Sequence, residues 1–425
     1  MQTAELKEKL LSGLFDEKLE SIYVDRDLLK EQAQRYADAL DRFSGFFEKD
    51  EAAVFSAPGR IEVIGNHTDH QHGKVIAASV NRDIIAVAAK RYDRIVRIIS
   101  EDTAWIDINL DELEPALEEE KTPSSLVKGI LKGIEDTGYA LGGFEAYATS
   151  QVPVGSGLSS SAAFEILIVK IVSAFFNNDS ISPKEAALIG QFAENVYFGK
   201  PCGLMDQTAC SVGNLVYIDF ANPAEPAIEK LDFDLAALGY SICVTETGDS
   251  HADLVGEYAA IPAEMKCIAQ ALGENFLNDV KRSDFEAAIP VLRESCSDRA
   301  ILRAIHFYDE NERVAAQVKA VKHGHFGKFL KLENESGISS FTYLQNVYAD
   351  TKEKSESLAL ALALSDRILA GTGASRVHGG GFAGTIIAFV PDEKSAKYKK
   401  QMDDVFRKDA CNILKIRSLG GTQVF

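Results

Sequence analysis

The sequence has little cysteine, fewer basic than acidic residues and no long apolar run. Its six cysteines lie among 425 residues, and none forms a C-x-x-C pair, so their spacing favours neither a zinc site nor a disulfide scaffold. Basic residues number 45 against 64 acidic ones, a formal net charge of −19, which argues against binding to nucleic acid or to anionic membranes. No apolar run is long enough to span a bilayer, and the charged residues 1–19 are not typical of a signal peptide. We therefore expect a cytoplasmic protein with reduced thiols.

Strands and helices mix throughout the chain. Apolar residues make up 46% of it and charged residues 26%, which is ordinary for a globular protein. Alternation at Phe144, Ala146 and Ala148 predicts a strand, whereas the apolar segment 160–176 predicts a buried helix. A new pattern, in which strands are followed by long helices, begins near residue 220. We therefore predict an α+β protein of two lobes, the first over residues 1–220 and the second over residues 221–425.

Residues 57–73 combine many polar side chains with a predicted turn after a strand at 52–56. The candidates are Arg60, Asn66, His67 and Asp69. They could all face one small polar ligand, although a solvated polar turn is the alternative. Three histidines lie at 67, 70 and 72, but their spacing within a turn lacks the rigid framework of transition-metal sites. We therefore interpret them as hydrogen-bonded or substrate-binding histidines.

A glycine- and serine-rich loop precedes the helix predicted from residue 160. Its candidate residues are Gly155, Ser156, Gly157, Leu158, Ser159, Ser160 and Ser161. Glycines let a backbone approach a ligand closely, and a helix N-terminus offers free N–H groups at the positive end of the helix dipole. The loop would suit a polyphosphate, although it lacks the Gly-Lys-Ser/Thr of a Walker motif. The alternative is a serine-capped helix after a tight turn.

Two further segments contain candidate residues. Asp206 lies among apolar residues just after a glycine turn, where an acid is either a helix N-terminal charge or a functional carboxylate. Glu194, on the preceding predicted helix, either ligates magnesium, which prefers oxygen ligands, or is a solvated helix residue. Residues 376–384 hold four glycines between two predicted strands. That pattern predicts backbone close to a bulky group, or a tight hairpin.

These segments occur in the order found in the GHMP small-molecule kinases, and the sequence resembles that family. The first signature of its galactokinase branch reads Gly-Arg-x-Asn-x-Ile-Gly-Glu-His-Thr-Asp-Tyr, and residues 59–70 read Gly-Arg-Ile-Glu-Val-Ile-Gly-Asn-His-Thr-Asp-His. Residues 152–163 resemble the second signature and residues 379–384 the third. The block Pro201-Cys-Gly-Leu-Met-Asp-Gln207, with Ala193-Glu194 before it, is also very similar to that branch. The resemblance extends from about residue 50 to the C-terminus.

The resemblance implies a fold of two lobes with the active site between them. The N-terminal lobe would be a ribosomal-protein-like α+β domain, and the C-terminal lobe would be ferredoxin-like. The implied activity is ATP- and Mg²⁺-dependent phosphorylation of galactose at its C1 hydroxyl, which gives galactose 1-phosphate and ADP. A small-molecule sugar and ATP would be the partners, and neither nucleic acid, a membrane nor an obligate protein partner is implied.

The resemblance also assigns roles to particular residues. Asp206 would accept or orient the proton of the sugar hydroxyl, and Arg60 would keep Asp206 ionised and neutralise charge on the moving phosphoryl group. Gly155 to Ser161 would wrap the ATP phosphates, and Ser160 with Glu194 would bind magnesium. The sugar-contacting positions would be Asn66, His67, Asp69, Gly203 and Tyr258.

Two departures from the signature leave alternatives open. The family's glutamate before the histidine is Asn66 here, and its tyrosine is His70. A carboxylate would repel an acidic sugar, whereas an amide can donate a hydrogen bond to it, so galacturonate or another galactose-like sugar is the alternative substrate. A third hypothesis is a galactose and ATP sensor without turnover. The intact loop at 157–162, together with Arg60 and Asp206, argues against it.

Overall fold

A mixed β-sheet fills the first half of the chain, and a smaller antiparallel sheet lies in the second half. The computed structural model describes residues 1–100, 105–153, 157–248, 254–349 and 356–425. The strands are β1 (Ala53–Ile64), β2 (Lys74–Lys90), β3 (Ile95–Ser100), β4 (Ile106–Asn109), β5 (Phe144–Ser150), β6 (Leu215–Asp219), β7 (Ala227–Leu231), β8 (Tyr240–Glu246), β9 (Ala374–His378), β10 (Thr385–Pro391), β11 (Cys411–Leu414) and β12 (Thr422–Gln423). The α-helices are α1 (Thr3–Leu11), α2 (Asp16–Tyr23), α3 (Leu29–Phe47), α4 (Pro123–Asp136), α5 (Ser160–Phe176), α6 (Pro183–Phe192), α7 (Met205–Val212), α8 (Val255–Ala271), α9 (Arg282–Ser295), α10 (Asp298–Lys322), α11 (Phe326–Ser339), α12 (Ser357–Leu369) and α13 (Asp392–Val405).

The larger sheet is covered by helices on both faces. Its strand order is β12-β1-β2-β5-β3-β4, and β6 with β7 extends it beside β2. Side chains alternate between the faces of a strand, and β2 is apolar on both. Ile84 and Ala86 belong to the core that contains α5, whereas Ile85 and Val87 pack with the N-terminal helices α1 to α3. The near-continuous apolar character of β2 therefore reflects burial on two sides.

The smaller sheet has the order β11-β8-β10-β9, and every neighbouring pair is antiparallel. Along the chain, β8 is followed by α8 to α12, then by the hairpin β9–β10, then by α13 and β11. This β-α-β-β-α-β succession is ferredoxin-like, with a long helical insertion after its first strand. The ferredoxin-like C-terminal lobe implied by the family resemblance is thus present.

The C-terminal residues return to the larger sheet. β12 pairs antiparallel with β1, with Phe55 opposite Gln423. Just before β12, the buried Arg417 donates to the Asp83 carboxylate at 3.2 Å. The two sheets are therefore joined at two places, through residues 232–239 and through the segment between β11 and β12.

Four segments converge in the cleft between the two sheets. They are the β1–β2 loop at 65–73, the loop before α5, the N-terminus of α7 and the β9–β10 loop at 379–384. Each carries one of the motifs from the sequence analysis. No helix within the described ranges is long and apolar enough to cross a membrane.

Candidate active site

An arginine–aspartate pair lies at the centre of the cleft. Arg60 Nε donates to Asp206 Oδ1 at 2.7 Å, and Arg60 Nη2 donates to Asp206 Oδ2 at 2.5 Å. The sequence predicted a turn after residue 56, but β1 continues through Arg60 to Ile64, with a shift of register between Pro58 and Arg60. Arg60 is thus held by a strand and Asp206 by the first turn of α7. Two planar groups in this bidentate arrangement fix each other's orientation.

The surroundings of Asp206 keep its carboxylate ionised. Burial by itself disfavours the charge, but the Arg60 guanidinium and the Ser159 hydroxyl outweigh it and lower the pKa of Asp206. Ser159 Oγ donates to Asp206 Oδ2 at 2.8 Å. The carboxylate is therefore negatively charged at neutral pH and ready to accept a further hydrogen bond.

The glycine- and serine-rich loop is attached to the same arginine. Arg60 N donates to Leu158 O at 2.9 Å, and Arg60 Nη1 donates to Gly157 O. Gly157 has a φ of +76°, and a Cβ there would lie 2.9 Å from Thr385 Oγ1 on β10. α5 begins at Ser160, so Ser160 and Ser161 occupy its first turn and are partly exposed. Gly155 and Ser156 lie outside the described residues.

Asp69 and Gly203 lie against each other beside this pair. A Cβ on residue 203 would come within 2.5 Å of Asp69 Oδ2, so only glycine leaves the Asp69 carboxylate in place. The His70 backbone N–H donates to Asp69 Oδ1 at 2.9 Å. Burial raises the pKa of Asp69, although the hydrogen bond and nearby His67 oppose it. The structure therefore brings these two predicted residues together.

Three other predicted sugar-contacting residues bind the β9–β10 loop. Asn66 Nδ2 donates to Gly379 O at 2.7 Å, His67 Nε2 lies 2.9 Å from Gly380 O, and Tyr258 Oη donates to Gly381 O at 2.7 Å. Three consecutive carbonyls of the loop are thus each bound by one such side chain. Asn66 is fully buried, and its Oδ1 accepts from Asn346 Nδ2 at 2.8 Å. These hydrogen bonds join Asn66 to other residues of the protein, so a direct hydrogen bond between Asn66 and the sugar stays a prediction.

Glu194 lies apart from the contacts of the glycine- and serine-rich loop and of the β9–β10 loop. The sequence placed it on a helix, and in the structure α6 changes to a π-helical turn at Ala193–Phe198, which contains Glu194. Glu194 Oε1 lies 3.4 Å from Lys200 Nζ, and Oε2 accepts from Gln207 Nε2 at 3.3 Å. Gln207 also donates to the buried Glu165 at 3.0 Å, and burial raises the pKa of Glu165 well above its usual value.

Two family models match this chain. The galactokinase galactose-binding signature matches residues 41–90, and the N-terminal domain of GHMP kinases matches residues 125–214. A galactokinase of Glaesserella parasuis is 33% identical over 358 residues, which cover 83% of this chain and 88% of that protein. The chain belongs to the galactokinase family. A galactokinase of Streptomyces coelicolor is 29% identical over 369 residues, which cover 86% of this chain and 92% of that protein.

Solved structures of sugar and small-molecule kinases have the same fold. The crystal structure of Lactococcus lactis galactokinase complexed with galactose matches with a TM-score of 0.76 at 25% identity, over 90% of this chain and 98% of that one. A crystal structure of mevalonate kinase matches with a TM-score of 0.60 at 14% identity, over 85% of this chain and 98% of that one, and this likeness concerns the fold alone. The predicted family and the α+β GHMP kinase fold are confirmed, and the chain is a sugar kinase.

Sequence reasoning missed the partner of Asn66. Glu62 Oε1 accepts from Asn66 Nδ2 at 2.9 Å and from Arg376 Nη2 at 2.6 Å, and the Arg376 side chain is fully buried. The galactokinase signature has asparagine where this chain has Glu62, and glutamate where it has Asn66. The two residue types are therefore exchanged between two positions that touch each other. The fourth position of the signature could have revealed Glu62.

Proposed function

We propose that this protein transfers the terminal phosphoryl group of ATP to the C1 hydroxyl of galactose, which gives galactose 1-phosphate and ADP. The bidentate Arg60–Asp206 pair, joined directly to the glycine- and serine-rich loop, carries this proposal. It connects a candidate proton acceptor to a candidate phosphate-binding backbone. The relatives named as galactokinases, and the family member whose structure contains galactose, support the choice of sugar.

Asp206 acts on the sugar hydroxyl in this proposal. Because its pKa is lowered, Asp206 is ionised and can accept the hydrogen bond of the C1 hydroxyl. A weak base removes a proton late, when the oxygen has begun to bond to phosphorus, so Asp206 mainly orients the nucleophile before that point. Arg60 holds the carboxylate and offsets negative charge on the phosphoryl group as it moves.

The loop before α5 would bind the phosphates of ATP. The N-terminus of α5 presents unpaired backbone N–H groups and the positive end of the helix dipole. The residues assigned to this role are Gly155, Ser156, Gly157, Leu158, Ser159, Ser160 and Ser161, of which the structure describes 157–161. Since Arg60 bonds to Gly157 and Leu158, it joins the loop directly to the catalytic pair.

Magnesium would be held by Ser160 and Glu194. Both side chains offer oxygen donors, which suit this ion, and metal binding by Glu194 would replace its ion pair with Lys200, at 3.4 Å. Among the described residues, no three His, Cys, Asp or Glu side chains converge into a metal-binding cluster. The remaining ligands would therefore be phosphate oxygens and water, which is usual for Mg²⁺. When bound, the ion would neutralise charge on the phosphates.

The sugar would lie beside Asp206, between the β1–β2 loop and the start of α7. The contact residues in this proposal are Asn66, His67, Asp69, Gly203 and Tyr258. Asp69 and Gly203 already share one edge of the cleft.

We further propose that the two lobes divide within residues 232–239, because β7 pairs in the larger sheet up to Leu231. We also propose that the enzyme works in the cytoplasm.

The proposal is tested with Asp206→Asn and a matched control. We expect wild type to release ADP with galactose, and phosphorus NMR to show phosphate on C1. Asp206→Asn should lower kcat on the order of 10²–10³-fold while ATP binding, measured by calorimetry, is kept. Asp403→Asn changes another ion-paired aspartate, 2.8 Å from Lys399 on α13, and should keep full activity. Wild-type preference for galacturonate over galactose, or full turnover by Asp206→Asn, would refute the proposal.

A further inference from the structure

One face of α10 lies directly behind the β1–β2 loop. His306 Nε2 lies 2.9 Å from Asn66 O, and Gly65 N donates to Glu310 Oε1 at 3.0 Å. One turn apart on a helix, these two residues face the same side. Asn311 Oδ1 accepts from Lys74 N at 2.7 Å, where the loop enters β2. Three side chains of one helix thus bind backbone groups at both ends of the loop.

The partners of His306 define its protonation. Nε2 faces a carbonyl, which only accepts, so Nε2 carries the proton. Nδ1 lies 2.9 Å from Ser339 Oγ and accepts from it. Burial lowers the pKa of His306, which keeps the ring neutral with one donor and one acceptor. The fully buried imidazole therefore has one fixed tautomer that suits the Asn66 carbonyl.

Glu310 is equally buried and fully bonded. Its Oε1 accepts from Ser336 Oγ at 2.6 Å as well as from Gly65 N, and its Oε2 accepts from Arg313 Nε at 2.7 Å. Burial disfavours the charge, but the basic side chains around Glu310 outweigh it and lower its pKa to about 2. An ionised carboxylate is a stronger acceptor for a backbone N–H than a neutral group.

The loop needs such support because its backbone is unusual. Gly65 has a φ of +109° and His67 a φ of +57°. A non-glycine residue in the left-handed region persists only where the surroundings determine its conformation. Glu310 binds the N–H of Gly65, and His306 binds the carbonyl of Asn66, which directly precedes His67. α10 therefore holds the backbone conformation that points the His67 and Asp69 side chains into the cleft, although it lies about 240 residues further along the chain than the loop.

We propose that His306 and Glu310 are positioning residues for the sugar, which act by fixing the backbone of Gly65 and Asn66. The inference rests on the proposed function, because it assumes that His67 and Asp69 contact the substrate. Neither residue of α10 would touch the sugar. Among the described residues, neither His306 nor Glu310 contacts the loop before α5. We therefore expect substitutions of His306 or Glu310 to weaken sugar binding and to leave ATP binding unchanged.

The test compares three substitutions on the same helix. His306→Leu removes the donor, whereas His306→Gln keeps a donor that can reach the Asn66 carbonyl. Gln317→Leu is the control, since Gln317 is fully buried and binds Glu333 two turns away from the loop. We expect His306→Leu to raise KM for galactose about tenfold and to leave KM for ATP unchanged. His306→Gln should restore most of the difference, and Gln317→Leu should leave both KM values unchanged.

Amide hydrogen exchange of residues 65–72, measured without sugar, separates this inference from the proposed function. We expect faster exchange there in His306→Leu and wild-type exchange in Gln317→Leu. If wild type does not phosphorylate galactose, the exchange result still reports whether α10 holds the loop. Unchanged KM for galactose with unchanged exchange would overturn the proposal, as would an equal rise in both KM values. Should His306→Leu fail to fold, Glu310→Gln takes its place: it keeps an acceptor for Gly65 N but loses the charge, so a smaller rise in KM for galactose, an unchanged KM for ATP and faster exchange at 65–72 are expected.

Discussion

At the residue scale, the exchanged pair Glu62 and Asn66 makes a quantitative prediction. Glu62→Asn leaves the buried Arg376 guanidinium without its carboxylate and should destabilise the fold by about 3–5 kcal/mol. Asn66→Glu brings a second buried carboxylate against Glu62 and should also destabilise it. The double variant restores one carboxylate and one amide in the same pair. We expect it to lose less stability than the sum of the two single variants, measured from urea midpoints.

The size of this coupling decides whether the pair acts as a unit. Residues in one hydrogen-bonded network usually show coupling of about 0.5–3 kcal/mol. Glu62→Gln is the matched control, because it keeps the acceptor for Asn66 and removes only the charge that faces Arg376. Strictly additive losses in the double variant would show that the exchange of residue types carries no compensation.

The residues of the site were predictable to different degrees. Arg60 and Asp206 follow from motifs whose chemistry needs those residue types, and the structure joins them directly. The internal position of Asn66 could not be predicted, because it depends on Asn346, 280 residues away in sequence, and on the Gly379 carbonyl, 313 residues away. His306 and Glu310 have no local sequence signal. A single polar residue on a long helix is ordinarily exposed to solvent, or it is buried and forms its hydrogen bonds within the core.

At the element scale, the loop before α5 packs against the smaller sheet. A methyl group on residue 157 would lie 2.9 Å from Thr385 Oγ1 and 3.0 Å from His378 Nδ1. Gly157→Ala should therefore displace the loop from β9 and β10 and raise KM for ATP more than tenfold, an effect on the order of 1.4 kcal/mol or larger. Steady-state kinetics with varied ATP measures it.

Gly138→Ala is the control for backbone strain alone. Gly138 has a φ of +86°, close to the +76° of Gly157, but nothing lies within 4 Å of its missing Cβ. Both variants carry the cost of placing alanine in the left-handed region, about 1 kcal/mol. Only Gly157→Ala should change KM for ATP. Equal effects of the two substitutions would assign the change to strain and not to the contact with the second sheet.

Some elements could be predicted from the sequence and others could not. The helix expected over 160–176 has those bounds in the structure, and the strand expected through Phe144, Ala146 and Ala148 is β5. The extension of β1 beyond Ser56 was missed, because Pro58 and Gly59 read as a turn whereas they form an irregularity within the β1–β2 pairing. α7 was foreseen only through Asp206, for which a helix N-terminal charge was one of two interpretations, and Asp206 does lie in the first turn of this eight-residue helix.

At the scale of the whole molecule, contacts across the cleft make the two sheets interdependent. Arg376 on β9 binds Glu62 on β1, and His378 on the same strand accepts from the Glu62 backbone at 3.0 Å. Buried polar groups of this kind are stabilising only when all partners are present. Sequence patterns predicted two α+β lobes, but the residue pairs between the sheets depend on how the sheets meet. Stability of the N-terminal half should therefore respond to charges buried in the C-terminal half.

Glu333, buried on α11 in the C-terminal half, is a titratable group of this kind, and its effect on the stability of the protein can be tested through pH. Burial raises the pKa of Glu333 to about 8, against about 4.3 in an unfolded chain. Between these values the native state holds a proton that the unfolded state has lost, so stability falls as pH rises, by at most about 1.4 kcal/mol per pH unit. Glu333→Gln removes this titration while keeping the shape. We expect the urea midpoint of Glu333→Gln to increase relative to that of wild type as the pH is raised from 5 to 8. A difference that is constant over that range would show that Glu333 does not hold its proton in the folded protein.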